Sequence, residues 1–317
     1  MSITIQSPGL FTTIQDVGRT GYQQYGFATG GALDQHAMTM ANLLVSNEPG
    51  EAVLEMTLLG VDVTFNSGNV IAITGGACQP KRNGEDVPMY TALSMKAGDT
   101  LSIGAVLDGC RIYMSFAGGL DVPSVMGSKS TQIKYGLGGY GGRALKAGDE
   151  VNFAAPRPAI DLISGNKRTL PPVIKLPGVQ ILRVVMGPQE NAFTKDSLEA
   201  FLSEEYAVTN ESDRMGYRLE GKALSFVGSA DIISDAIALG SVQVPASGKP
   251  IVLLSDRQTV GGYAKIATVI SVDIPVLAQC KMGDKVRFAK VSVAEAQRLY
   301  VKQQKQYIAW QRLLGRR

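Results

Sequence analysis

The chain has 317 residues, 45% hydrophobic and 19% charged, with 31 basic and 28 acidic side chains and a formal charge of +3. This composition argues against a disordered or fibrous chain, and no apolar run approaches the roughly 18 residues that a membrane-spanning helix needs. The length predicts about two domains, each able to bury a core without staples, while three scattered cysteines (Cys78, Cys110, Cys280) and a single histidine (His36) argue against a zinc framework or imidazole-driven acyl transfer.

The amino-terminal segment turns at Pro8 and Gly9 and lacks the basic and apolar regions of a secretory signal, so a cytoplasmic location is expected. Gln15, Asp16, Arg19 and residues 30–34 form a polar group. Asp34 is read as the N-cap of a helix with Ala37, Met40, Ala41 and Leu44 on one face, and His36 in its first turn as a packing or surface residue. Residues 61–65, 70–73 and 111–116 read as strands.

Residues 127–143 combine Ser128, Lys129, Ser130, Thr131, Gly138, Gly139 and Arg143, the hydroxyls, free amides and cations of an anion nest. Gly136, Gly138 and Gly141 match the spacing of a dinucleotide fingerprint, but the run leads into a turn and a strand instead of a helix, so a Rossmann reading is rejected. There is no Walker A sequence and no Met-Lys-Met biotin acceptor.

Five of the 14 prolines fall at 156–177. They lock φ and remove amide donors, which places a linker there between units 1–155 and 178–290. Beyond it, strands are expected at 179–185, 251–254 and 266–271, and Thr194 can cap a helix carrying Leu198, Phe201 and Leu202.

Two polar segments stand out in this half. Asp213, Arg214 and Tyr217 surround a glycine at the start of a strand, and Arg214 could clamp a carboxylate or phosphate. Between two apolar strands lie Asp256, Arg257, Gln258, Thr259, Gly261, Gly262, Tyr263 and Lys265, a dense set of ligand-binding chemistry, for which a structural hairpin stapled by Asp256 and Arg257 is the competing reading. Residues 291–317 read as a helix opened by Ser292 and Glu295, with Val293, Ala296, Tyr300, Tyr307, Trp310 and Leu314 as an apolar stripe. Seven basic residues and one acid from Lys290 onward make this tail +6 and leave the body at −3. A solvated helix covering its own domain or a partner is expected, with no nucleic acid or membrane as ligand.

Lys-x-Gly-Asp recurs at 96–99, 146–149 and 281–284, each time before an alternating strand, and 16–22 is weakly similar to 213–217. With 36 glycines and many short strands, the chain reads as mainly β with few helices, built of barrels or sandwiches.

On the blocks at 8–19, 31–34, 41–45, 54–58, 116–123, 212–221, 240–245 and 255–263, the chain resembles the allophanate hydrolase subunit 2 family, also called the biotin-dependent carboxyltransferase-like or KipI-antagonist family. Lys129 stands where that family more often carries Arg, keeping the charge without the bidentate fork. The resemblance implies a carboxyltransferase-like subdomain at 1–155, a cyclophilin-like β-barrel at 178–290, and barrel-like subdomains in both halves.

It also implies one component of an ATP-dependent 5-oxoprolinase that works with two partners, a KipI-like protein (the B component) and a lactam-binding protein (the A component), opening 5-oxoproline to glutamate through phosphorylation of the amide oxygen. ATP and magnesium would act in the complex, with no biotin on this chain. Asp213, Arg214, Tyr217, Asp256, Arg257, Gln258 and Lys265 would then be catalytic; residues 128–131, Gly138, Gly139, Arg143, Thr259, Gly261, Gly262 and Tyr263 would bind ligand or phosphate; Asp213 or Asp256 would hold magnesium. Two alternatives stay open: the carboxyltransferase of a urea-carboxylase-like system, and a regulator that relieves inhibition of a sensor kinase by binding the KipI-like protein.

Overall fold

A computed structural model describes residues 1–154, 168–173 and 177–315, so most of the expected linker at 156–177 lies outside the described residues. The chain divides into two compact units. One comprises Met1–Arg19, Gly30–Lys175 and Lys305–Arg317; the other comprises Thr20–Thr29 and Leu176–Gln304.

The first unit carries β1 (Ser2–Ser7), β2 (Phe11–Gln15), β3 (Val53–Thr57), β4 (Asp62–Phe65), β5 (Asn69–Ala77), β6 (Lys81–Arg82), β7 (Glu85–Asp86), β8 (Ala92–Met95), β9 (Thr100–Ser102), β10 (Asp108–Phe116) and β11 (Glu150–Asn152). They form two sheets, β11-β1-β4-β9-β6-β7 and β2-β3-β10-β5-β8. Period-two alternation turns Ile3, Ile5, Val63 and Phe65 of one sheet and Leu54, Met56, Ile71, Ile73, Ile112 and Met114 of the other into a single core. Burying each such side chain contributes about 1.5–3 kcal/mol.

Helix α1 (Gln35–Leu44) covers the other side of the second sheet, with Asp34 Oδ1 accepting from the Ala37 amide at 2.8 Å. Met40, Leu43 and Leu44 pack there with Val70 and Ala72. Strand β5 is therefore buried on both faces, in keeping with the unbroken apolar run at its residues 70–73.

The second unit carries β12 (Gln180–Met186), α2 (Lys195–Ser203), β13 (Tyr206–Val208), β14 (Gly216–Glu220), β15 (Asp231–Ala236), β16 (Ser241–Gln243), β17 (Ile251–Leu253), β18 (Val260–Tyr263), β19 (Lys265–Val269), α3 (Ile274–Ala278) and β20 (Lys285–Lys290). Seven of these strands close a barrel in the order β12-β19-β16-β17-β14-β13-β20, and β15 and β18 form a separate two-stranded ribbon. Thr194 caps α2 through the Ser197 amide, and Phe201 of α2 stacks on Phe288 of β20 at 4.4 Å. The mainly-β class and the barrel stand as expected. Of the barrels expected in each half, among the described residues that of the second unit is closed, and the strands of the first unit divide between two sheets.

The Lys-x-Gly-Asp repeat is one turn used three times. In each copy the aspartate Oδ2 accepts from the lysine amide at 2.7–2.8 Å, with glycine φ of 86–88°, and β9, β11 or β20 follows. Positive φ is why glycine stands at that position.

The last helix, α4 (Val293–Leu313), starts on Ser292, whose Oγ accepts from the Glu295 amide at 3.1 Å. Glu295 pairs with Arg298, so its carboxylate is engaged along the helix. Val293 and Tyr300 of the expected apolar stripe are about half exposed, while Tyr307, Trp310 and Leu314 pack with the α1 cluster of the first unit. Among the described residues, no helix is long and apolar enough to cross a membrane.

Candidate functional site

The sequence-predicted residues fall in two groups, one in each unit. In the first unit, the expected anion nest is closed around an anion of its own. Asp16 Oδ1 accepts from the Gly18 amide at 2.7 Å, from Ser128 Oγ at 2.7 Å and from Ser130 Oγ, and Oδ2 accepts from the Lys129 amide at 2.7 Å. Ser128 and Ser130 are at most 1% exposed.

Lys129 Nζ is held by Glu51 at 2.7 Å and by the Leu120 carbonyl, and Arg143 makes a bidentate pair with Asp149 at 2.7 and 2.8 Å. The glycines serve packing: a Cβ on Gly138 would stand 2.1 Å from Ser130 O, and one on Gly139 would stand 1.9 Å from Thr131 Oγ1. Ser128, Ser130 and the Lys129 amide therefore organise a loop around Asp16, while the Lys129 and Arg143 side chains of the expected phosphate set are engaged by Glu51 and Asp149, and Thr131 Oγ1 is buried without a hydrogen-bond partner. The missing signal was the partner, Asp16, more than a hundred residues upstream.

In the second unit, Arg214 and Asp256 form a bidentate pair, Nε to Oδ2 at 2.9 Å and a second bond of 3.2 Å to Oδ1. The competing reading of an Asp256–Arg257 staple is therefore wrong in its partner. Asp213 Oδ1 accepts from the Met215 and Gly216 amides at 2.8 and 3.1 Å, an Asx turn. Asp16 does the same with Gly18, so the weak similarity of the two segments is a shared turn. Tyr217 is 2% exposed and its hydroxyl donates to the Cys280 carbonyl at 3.2 Å, which makes it a core residue.

Of the two expected magnesium ligands, the exposed Asp213 has Oδ1 engaged by the Met215 and Gly216 amides, and Asp256 is engaged by the Arg214 guanidinium. Among the described residues no group of three or more His, Cys, Asp or Glu could hold a metal ion.

Two cations remain. Arg257 is 6% exposed, donates from Nε to the Ile237 carbonyl and from Nη1 to the Leu254 carbonyl, both at 3.1 Å, and burial pulls its pKa down. Among the described residues it is the one cation of the predicted set without a carboxylate partner. Lys265, at the start of β19, is 3% exposed and donates to Asp235 Oδ2 at 2.8 Å, and that bond holds the Asp235 carboxyl below its ordinary range.

The Gln189 amide brackets the pair, its Oε1 accepting from the Lys265 backbone at 3.1 Å and its Nε2 lying 3.4 Å from Asp235 Oδ2. Asp235 and Gln189 were absent from the expected site because they lie 30 and 76 residues from Lys265 in no local motif. Gln258 and Tyr263 are exposed, Thr259 and Gly262 are half-buried, and a Cβ on buried Gly261 would meet Gln243 Nε2 at 2.8 Å and Gln258 Nε2 at 3.0 Å. A buried, unneutralised guanidinium and a buried ammonium held by a surface carboxylate suit an anionic ligand.

Residues 25–290 match the model of the carboxyltransferase domain, subdomain A and B. The chain is 38% identical over 304 residues to the C subunit of 5-oxoprolinase from Escherichia coli (strain K12), covering 95% of this chain and 96% of that protein. It is 31% identical to the urea amidolyase of Saccharomyces cerevisiae, covering 94% of this chain and 17% of that protein. The crystal structure of the K. lactis urea amidolyase superposes with a TM-score of 0.92 at 29% identity, covering 98% of this chain and 20% of that one.

Proposed function

The chain belongs to the family of carboxyltransferase domains with subdomains A and B, and on that premise we propose that it is the C subunit of a 5-oxoprolinase, working with a lactam-binding partner and a KipI-like partner in the ATP-dependent opening of 5-oxoproline to glutamate in the cytoplasm. The near end-to-end match to the Escherichia coli protein supports this. The observation that carries it is Arg257: a desolvated guanidinium with only carbonyl partners favours a bound anion, and 5-oxoproline is a carboxylate.

Arg257, with two of its donors fixed by carbonyls, and Lys265 are the two buried cations that would receive that carboxylate. ATP and magnesium belong to the assembled enzyme in this reading. The loop at 128–143 is built around Asp16, Asp213 Oδ1 is held by its own turn and Asp256 by Arg214, so no step is derived through a metal or nucleotide on this chain. Being a single component, the chain is expected to be inactive alone.

The test is reconstitution with both partners, ATP, magnesium and 5-oxoproline. Glutamate should form only in the full mixture, and Arg257→Ala should abolish it while the KipI-like partner still binds. Unchanged turnover in Arg257→Ala would remove Arg257 from the site. The similarity to urea amidolyase supports a second reading, transfer of a carboxyl group from a separate biotinylated protein to an amide. A biotin blot of co-purifying proteins, positive together with no glutamate formation, would favour it.

A further inference from the structure

We infer that Lys265 is a seat for the carboxylate of the ligand, and that Asp235 is a built-in plug which occupies this seat in the empty protein and is displaced when a small carboxylate binds. The inference rests on the site proposed above and adds to it the residue that controls access.

The burial of the two partners is unequal. The Lys265 side chain is 4% exposed and the Asp235 side chain is 50% exposed. An ammonium taken out of water needs an anion beside it, whereas a carboxylate already half in water loses little by moving outward. Opening without a replacement anion is therefore strongly uphill. Exchange of one carboxylate for another keeps the ammonium paired throughout.

The plug sits on an element suited to move. Asp235 belongs to β15, which pairs with β18 in the ribbon outside the barrel, whereas Lys265 belongs to the barrel strand β19. The β15–β18 register shifts between Asp231 and Asp235, so the ladder is irregular next to the plug, and Asp235 lies opposite Gly261, which offers no side chain to hold it. Five of the six β15 residues are exposed, Ile233 at 95%. Gln189 holds the Lys265 backbone with its carbonyl oxygen and donates from its amide nitrogen to Asp235 Oδ2 at 3.4 Å, and Asp235 Oδ1 accepts from the Ala236 amide at 2.7 Å, a bond inside β15 that moves with the plug.

The test uses the full chain alone, with acetate as a probe that reproduces the aspartate side-chain carboxylate. Asp235→Ala should melt lower than the wild type. Sodium acetate, compared with sodium chloride at equal ionic strength, should restore its melting temperature, while acting much more weakly on the wild type, where Asp235 competes for the seat, and not at all on the double variant Asp235→Ala/Lys265→Met. Asp235→Asn, which keeps the shape of the side chain, should bind 5-oxoproline about tenfold more tightly than the wild type or better, since nothing charged has to be displaced.

Acetate acting equally on the double variant, or Asp235→Asn binding 5-oxoproline no more tightly than the wild type, would overturn the plug. Should the wild-type chain with both partners make no glutamate while acetate still rescues Asp235→Ala through Lys265, the 5-oxoprolinase reading falls and the carboxylate seat stands. Turnover without acetate rescue has the opposite meaning.

Discussion

Nδ1 of His36 lies 2.7 Å from Oη of Tyr307, joining the start of α1 to the end of the last helix within the first unit. The chain's single tryptophan, Trp310, completes the cluster, its ring 5.9 Å from the imidazole and 6.1 Å from Tyr307. Nearby, Arg168 donates to the carbonyls of Leu43, Leu44 and Leu314, tying the two helix ends together. The lone histidine is thus a packing residue, as the sequence implied.

Burial lowers the His36 pKa, and the Asp34 carboxylate only partly opposes it. In the folded state the proton therefore binds below the ordinary imidazole value of about 6.5. The group's contribution to stability is present above that value and is lost as pH falls through the folded pKa. Urea denaturation from pH 7.5 to 5 should show stability falling with acid, and His36→Gln should flatten that part of the profile. Trp310 emission should change with a midpoint below 6.5; a midpoint above it contradicts the half-buried, desolvated imidazole.

Asp16 accepts four hydrogen bonds from its loop. Asp16→Ala leaves two serine hydroxyls and the Lys129 amide buried without their acceptor. A loss of about 3 kcal/mol or more is expected in chemical denaturation. Inorganic phosphate should not stabilise the wild-type chain through this loop, and a Lys129-dependent phosphate effect on melting would reinstate the nest as a ligand site.

Arg257 and Arg214 should separate stability from function. Arg257→Met removes a buried charge that has no carboxylate partner, so stability should change by no more than about 1 kcal/mol while turnover in the reconstituted complex is lost. Arg214→Met strands Asp256 with its carboxylate only 20% exposed, and should cost about 2 kcal/mol. Equal losses in the two variants would show that both arginines are structural.

Gly98, Gly148 and Gly283 have φ of 88°, 86° and 87°, and an added Cβ at each meets nothing within 4 Å. Alanine at any of the three should therefore cost the same 1–2 kcal/mol, roughly the left-handed backbone penalty alone. Gly138→Ala should cost distinctly more, because its Cβ would also overlap the Ser130 carbonyl. Denaturation midpoints of the four variants decide this; a spread among the first three would mean that contacts contribute there too.

Much of the fold was legible because it is local. Asp34, Thr194 and Ser292 each cap a helix within three residues, the Lys-x-Gly-Asp turns close within four, and period-two alternation turns Ile71 and Ile73 inward. The candidate site was legible only as chemistry. Sequence singled out Arg214, Arg257 and Lys265 as cations, but which of them remains uncompensated depends on where Asp256, Asp235 and the Ile237 and Leu254 carbonyls come to lie. In the loop that reads as a phosphate nest, two serine hydroxyls and the Lys129 amide are taken by Asp16, more than a hundred residues upstream. Caps, turns and strand faces are set by neighbours along the chain, so the sequence by itself determined them; charge neutralisation falls off with distance in space, so only the tertiary structure decided which polar groups serve the protein and which are left for a ligand.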